Sequence, residues 1–322
     1  MPQASAPPVA ATPHVIIIDW GTTSLRATLV DAAGTAIAAL ESLRGIQAIP
    51  AGAFAPELMQ TIGPWLDRYG ALPVIALGMI TSRNGWVEVP YVPCPATARD
   101  LAAGAVHRRL PNGSDLILLP GLTDHSRHPF PDVMRGEETQ IVGYGLDGPA
   151  TLVLPGTHSK WARLAEGRIA GFQTFVTGEV FALLSQHSFI AKAAGTANAT
   201  ANWSAFERGV QIARDTTGSD AAFLTQIFSA RTGMLADQLN PADLRDHVSG
   251  LLIGAEFRQA RDAGWFTPGE RLGIVGNDGL NARYGRAARV FGLIVADGGT
   301  AAAIHGALEI FALLETVPHD PD

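Results

Sequence analysis

The sequence predicts an α/β protein made of two similar domains. Three observations carry that expectation. Short β-branched runs that end in glycine turns alternate with segments of helical spacing. One strand–turn–strand device occurs twice, 135 residues apart. The chain has 322 residues, of which 47% are hydrophobic and 16% charged, enough apolar material for two cores.

The elements follow in order. Val15–Ile18 leads into Asp19-Trp20-Gly21-Thr22-Thr23-Ser24 and then Leu25–Val30, which reads as strand, polar turn, strand. A third strand is expected over Thr35–Leu40, after the Asp31–Gly34 turn. Leu58, Ile62, Trp65 and Leu66 give Pro56–Tyr69 a helical stripe. Val74–Met79 and Leu116–Leu119 read as buried strands, and Glu137–Tyr144 as a helix. Helices are expected from about Gly178 to Ala194, from Ala221 to Arg231, and once or twice within Ala242–Ala263. Leu272–Asn277 reads as a strand with a glycine turn, Arg289–Ala296 as a strand, and Ala301–Leu314 as the final helix.

The repeat sets the organisation. Shifted by 135, Gly21, Thr22, Ser24, Ala27 and Leu29 fall on Gly156, Thr157, Ser159, Ala162 and Leu164. Clustering on one device argues for duplication rather than chance. The expected domains are 14–147 and 148–322, after a flexible tail at 1–13.

Composition excludes several classes. The formal net charge of −7 argues against a general nucleic-acid or membrane-surface binder. No apolar run nears the ~20 residues that span a bilayer. The single Cys94 cannot form an internal disulfide or a thiolate cage, which suits a reducing, cytoplasmic setting. The Ala- and Pro-rich start lacks the basic and apolar regions of a signal peptide.

The turns are the candidate sites. Glycine lets backbone approach a ligand closely, and N–H groups aimed one way bind anions. Asp19 at the strand end suits Mg²⁺, which prefers a carboxylate with phosphate oxygens. Gly21, Thr22 and Thr23 offer donors to phosphate, and Arg26 adds charge. The second copy offers Gly156, Thr157, Ser159 and Lys160, one of only two lysines, but has Leu154 in place of the aspartate. His158, within that copy, either touches phosphate or caps the turn. Gly276 and Asn277, like Gly298 and Gly299, form glycine turns ahead of helices, a setting that suits phosphate or adenosine.

Together these strings resemble the first phosphate, second phosphate and adenosine motifs of the actin/hexokinase/Hsp70 superfamily. More closely, three strings resemble the 2-keto-3-deoxygalactonokinase family. They are Gly78-Met79-Ile80-Thr81-Ser82-Arg83-Asn84-Gly85-Trp86, Met134-Arg135-Gly136-Glu137-Glu138-Thr139-Gln140, and Leu154-Pro155-Gly156-Thr157-His158-Ser159-Lys160-Trp161. The resemblance implies two actin-like, ribonuclease H-like domains around a nucleotide cleft. It also implies transfer of the γ-phosphoryl group of ATP, with Mg²⁺, to the 6-hydroxyl of 2-keto-3-deoxygalactonate.

Such a kinase needs a base near the nucleophilic hydroxyl. In related glycerol- and xylulose-type kinases an aspartate follows glycine at a helix start; here that place holds Gly136-Glu137-Glu138. Adjacency to glycine favours Glu137, and distance to Gly145 favours Glu138, to which the reading leans. Arg83 is the first candidate for the sugar-acid carboxylate, since guanidinium binds carboxylate bidentately. Thr81, Ser82 and Asn84 suit hydroxyl recognition, Trp86 a wall, and Arg135 a second cation.

Gly143–Gly148 matches a dinucleotide fingerprint but follows a helix, so it reads as a cap and turn. Asp124, His125, His128 and Asp132 read as a solvated loop. Rival functions are a kinase of 2-keto-3-deoxygluconate or another sugar, and a non-enzymatic actin-like regulator or polymer. A homo-oligomer is compatible with all of them.

Overall fold

The computed structural model describes residues 12–194, 200–218, 223–296, 298 and 301–314. The chain divides into two compact units. The first takes the chain up to His125, then Val133–Gly143, then the segment from Ala301 on; the second takes Ser126–Asp132 and Tyr144–Thr300.

The first unit begins with β1 (Pro13–Trp20), β2 (Leu25–Asp31) and β3 (Ala36–Ser42), an antiparallel meander. Pro13, expected in the tail, already pairs with Asp31. Helix α1 (Phe54–Tyr69) buries Phe54, Leu58, Ile62 and Leu66, one stripe at the i, i+4 spacing. It covers the sheet face that carries Ile16, Ile18 and Trp20, and these residues form one core. Strand β4 (Val74–Leu77) pairs parallel with β1 and is buried throughout. A central strand covered on both faces reads as a continuous apolar run.

The short β5 (Val92–Pro93) and α2 (Ala98–Ala103) follow; Thr97 and Asp100 close a capping box on α2. Strand β6 (Val106–Arg109) is the antiparallel edge beside β7 (Asp115–Leu118). The main sheet therefore runs β3-β2-β1-β4-β7-β6. Strand β8 (Leu122–Asp124) lies parallel to β5, and β9 (Asp132–Met134) carries the chain into α3 (Glu137–Tyr144).

In the second unit, β10 (Thr151–Leu154), β11 (Ser159–Ala165) and β12 (Arg168–Phe175) repeat the meander. Helix α4 (Thr177–His187) and α5 (Phe189–Ala193) replace the single helix expected to Ala194, because Ser188 takes an extended conformation and caps α5. Helix α6 (Trp203–Asp215) was not expected; its Phe206, Val210 and Ala213 are buried. Helix α7 (Phe223–Leu235) and α8 (Leu244–Asp262) follow; α8 is buried on all sides through the middle of the unit.

Strand β13 (Arg271–Ile274) lies parallel to β10. Helix α9 (Asp278–Val290) overrides the strand expected from Arg289, and β14 is only Ile294–Ala296. The inward face of α9 buries Tyr284, Gly285, Ala287 and Ala288.

The second sheet runs β12-β11-β10-β13-β14. Both sheets thus use a hairpin-led meander whose first strand pairs parallel with a later one. That shared order is the actin-like fold expected from the sequence.

Ladder registers refine the duplication. Asp19 pairs with Arg26, whereas Leu154 pairs with Lys160, so the second turn is one residue shorter. Lys160 therefore occupies the ladder place of Arg26. The matches of Ala27 with Ala162 and Leu29 with Leu164 slip by one position.

The last helix, α10 (Ala302–Leu314), belongs with the first unit, not with the second as the sequence division had it. It crosses α3 closely: a Cβ on Gly143 would collide with the Ala302 carbonyl, and one on Gly306 with the Thr139 carbonyl. This contact explains Gly143 without any dinucleotide. No helix among the described residues is long and apolar enough to cross a membrane.

Candidate active site

In the first unit, three chain segments converge at the ends of β1 and β4. Asp19 closes β1. Its side chain keeps 36% of its surface open, so it sits in a recess. Burial pushes its carboxyl above the usual range, and Arg26, at 3.9 Å, opposes that shift. Gly78 ends β4 at φ 86°, a conformation that only glycine enters without strain. A Cβ there would lie 3.0 Å from Asp19 Oδ1, so glycine keeps the recess open. A Cβ on Gly136, at φ 108°, would lie 3.4 Å from Gly78 Cα. The start of α3 is thereby stacked on the end of β4, beside Asp19.

The β1–β2 turn is pinned from below. Gly21 N–H donates to Ser24 O, while the Gly21 and Thr22 carbonyls accept from Ile46 and Gln47. With those carbonyls occupied, the exposed Thr23 and half-exposed Thr22 are the groups the turn presents. Arg26 is exposed and paired with Glu41 at 3.0 Å.

The two glutamates of α3 differ sharply. Glu138 is 1% exposed. Both its carboxylate oxygens accept from Gly136 N–H, at 2.9 and 2.7 Å, and Thr139 Oγ1 donates at 3.1 Å. Burial, with the neighbouring Glu137 charge, pushes its pKa up to about 7. Glu137 is half-buried, and its Oε2 accepts from Arg135 N–H at 3.1 Å.

The 78–89 loop is held by its own hydrogen bonds: Trp86 N–H to Ile80 O at 2.8 Å, and Val89 N–H to Thr81 O at 3.0 Å. Thr81 and Ser82 are buried, and their hydroxyls donate to Gly78 O and Met79 O. Arg135 braces the loop, donating to Thr81 Oγ1 at 2.7 Å and to Val89 O at 2.8 Å, with its guanidinium 4.2 Å over Tyr91. Trp86 stacks on Phe54 at 6.4 Å. Of the six residues expected to read the sugar acid, Arg83 and Asn84 are exposed at the loop tip, and Arg83 pairs with Glu88 at 3.4 Å. Thr81, Ser82, Trp86 and Arg135 build the platform beneath them.

In the second unit, Gly156 and Thr157 form the open part of the repeated turn. The first turn of α4 backs it: Glu179 N–H donates to Thr157 O at 2.9 Å, and a Cβ on Gly178 would collide with Gly156 O. His158 Nε2 lies 2.7 Å from Glu179 Oε2, so it serves the turn's outer wall.

Ser159 and Lys160 are buried instead of lining the turn. Ser159 Oγ is 2.6 Å from Tyr284 Oη. Lys160 Nζ donates to Thr174 Oγ1, which Asp132 holds at 2.7 Å. Asp132, expected on a solvated loop, is thus an anchor for β12.

Gly276 lies against Pro155, with 3.4 Å from its Cβ position to Pro155 Cδ. Asn277 caps α9 by accepting from Leu280 N–H. Asn281, which the sequence reading missed, donates to Gly276 O at 2.8 Å. Gly298 abuts Ile274 O; Gly299 lies outside the described residues.

Comparison with known proteins decides the family. The model of the 2-keto-3-deoxy-galactonokinase family matches residues 19–310. The chain belongs to that family. A Rhizobium meliloti (strain 1021) relative described as a probable 2-dehydro-3-deoxygalactonokinase is 35% identical over 283 residues, covering 86% of this chain and 90% of the relative. The 2-dehydro-3-deoxygalactonokinase of Escherichia coli (strain K12) is 32% identical over 285 residues, 87% of this chain and 91% of that protein. A solved Sinorhizobium meliloti structure under the same enzyme name superposes with a TM-score of 0.82 at 33% identity, covering 94% of this chain and 99% of that one.

Proposed function

We propose that this kinase-family chain transfers the γ-phosphoryl group of ATP to the 6-hydroxyl of 2-dehydro-3-deoxy-D-galactonate. The product would be 2-dehydro-3-deoxy-6-phosphogalactonate, a step of galactonate breakdown in the cytoplasm. The observation that carries this reading is the family match over residues 19–310, which includes both phosphate turns and the α3 carboxylates.

In the reaction, the sugar hydroxyl oxygen bonds to the γ-phosphorus, the bond from that phosphorus to the β,γ-bridging oxygen breaks, and ADP leaves. The hydroxyl proton goes to a carboxylate. Glu137 fits this role better than Glu138, towards which the sequence leaned. A general base must come within about 3 Å of the proton it takes, and Glu138 is enclosed with both oxygens engaged on its own backbone. Glu138 instead holds the bend at Gly136 that presents Glu137.

Arg83 and Asn84 would take the sugar-acid carboxylate and a hydroxyl. In the first unit, Thr22 and Thr23 would contact phosphate; in the second, Gly156 and Thr157 form a phosphate turn of their own.

The Asp19 recess fits Mg²⁺: a hard carboxylate oxygen beside a glycine-lined opening, with one carboxylate enough when phosphate oxygens and water complete the shell. The metal, when bound, neutralises developing phosphate charge. The rest of the task is positioning.

The test is ADP release with MgATP on 2-dehydro-3-deoxygalactonate, on its gluconate epimer and on neutral sugars. Turnover confined to the galactonate compound supports the reading. Faster turnover on the epimer or a neutral sugar overturns the substrate.

A further inference from the structure

Beneath the second-unit turn lies a buried carboxylate that the reaction does not use. Glu256 of α8 is 2% exposed. Trp161 Nε1, from β11, donates to its Oε1 at 2.8 Å. Tyr284 Oη, from α9, donates to its Oε2 at 2.8 Å. Because the Tyr284 proton is committed to Glu256, Ser159 Oγ, 2.6 Å away, is the donor to Tyr284. Ser159 and Thr177, the first residue of α4, also lie within hydrogen-bonding reach of the carboxylate. Burial pushes the Glu256 carboxyl up, while hydrogen bonds from Thr177, Trp161 and Tyr284 pull it down and stabilise the charge. Tyr284 is pushed well above its ordinary value by burial and by the Glu256 charge, so it stays a donor.

The placement is what matters. Ser159 ends the Gly156–Ser159 turn, and Thr177 opens the helix whose Gly178 and Glu179 pack on the Gly156 and Thr157 carbonyls. Tyr284 sits on α9, which Asn277 caps and whose Asn281 reaches Gly276. One carboxylate thus ties together the phosphate turn, the helix end behind it and the helix that leads from the Gly276 turn.

We propose that Glu256 is a positioning residue for nucleotide, fixing the Gly156–Thr157 turn and α9 in one arrangement through Ser159, Thr177 and Tyr284. The proposal rests on the reading that Gly156 and Thr157 contact phosphate. Neither Glu256 nor its partners would touch the sugar acid.

The experiment compares Glu256→Ala, Glu256→Gln and Tyr284→Phe, measuring KM for MgATP and for the sugar acid separately, and ADP affinity by calorimetry. Far-ultraviolet circular dichroism and a melting curve establish folding first. Losing the acceptor leaves buried donors unpaired and frees the turn, so Glu256→Ala should raise the MgATP KM and the ADP Kd by about tenfold or more. Glu256→Gln keeps one acceptor oxygen and should fall between Ala and the parent. The sugar-acid KM should stay within about twofold. A merely structural role would lower the melting temperature and leave the MgATP KM of the folded protein unchanged, and that result overturns the proposal. If Glu256→Ala does not fold, Glu256→Gln and Tyr284→Phe decide: unchanged MgATP KM in both sinks it.

Gly156→Val, which acts on the turn itself, separates the two claims. If Gly156→Val leaves ADP binding intact, the phosphate reading falls. If it weakens ADP binding while the Glu256 variants do not, only the positioning role falls.

Discussion

The division of labour between the α3 glutamates can be tested by titration as well as by rate. Glu138 has an ordinary pKa of 4.5, raised in the folded chain to about 7. A raised carboxyl means that between those values the folded chain holds a proton that the unfolded chain has released. Its stabilising contribution is therefore full below pH 4.5 and is lost as pH rises through 7. The span of 7 − 4.5, at ~1.36 kcal/mol per unit, costs the folded state about 3 kcal/mol above pH 7.

Glu138→Gln is neutral at every pH and keeps an amide oxygen to accept from Gly136 N–H. It should match the parent near pH 5 and gain stability over it as pH rises to 8.5. The gain is at most about 6–12 °C in melting temperature, at ~2–4 °C per kcal/mol for a unit of this size. Thermal melts at half-unit pH steps read it directly. A gap that stays constant from pH 5 to 8.5, or a variant less stable than the parent at pH 8, refutes the burial argument.

In the kinase assay, Glu137→Gln should lower kcat by about 10²–10⁴, the usual contribution of a general base, while Glu138→Gln keeps most of it. A reversed pattern with nucleotide binding intact makes Glu138 the base.

Other perturbations follow from the same geometry. Arg83→Ala should raise the sugar-acid KM by about 10- to 100-fold with the MgATP KM unchanged, as expected for a lost charge-assisted hydrogen bond; equal effects on both substrates would displace Arg83 from the carboxylate. Asp19→Asn should shift the Mg²⁺ activation curve to higher metal and lower kcat, and an unchanged curve would remove the recess from the metal assignment. Gly143→Ala should destabilise the fold by about 1–3 kcal/mol or more, because its methyl would strike the Ala302 carbonyl; a neutral melt would mean that α10 yields.

The elements that could be read from the chain are those whose burial follows a simple period. β1 is a continuous apolar run because both faces are covered, and α1 shows its stripe at Phe54, Leu58, Ile62 and Leu66. Helix α9 was expected after the Gly276–Asn277 turn, but its last turn was read as strand because Arg289–Val290 run directly into the apolar Phe291 and Leu293–Ala296. The glycine turns were visible as turns, since Gly21 and Gly156 end apolar runs at matching places.

What each candidate does was decided by tertiary packing. Thr81, Ser82 and Arg135 have the chemistry to read a sugar acid, yet the fold uses the two hydroxyls and both terminal nitrogens of Arg135 on Gly78, Met79, Thr81 and Val89. Lys160 and Ser159 have the chemistry to hold phosphate, but the fold buries them against Thr174 and Tyr284. The close packing at Gly78, Gly136 and Gly178, and the buried partners of Glu256, show only in the fold, because they depend on chain segments far away in sequence. Composition and period determined the class of fold and where its glycine turns fall. Only the three-dimensional arrangement decided which polar groups remain available, because a hydrogen bond already made inside the protein withdraws that donor or acceptor from any ligand.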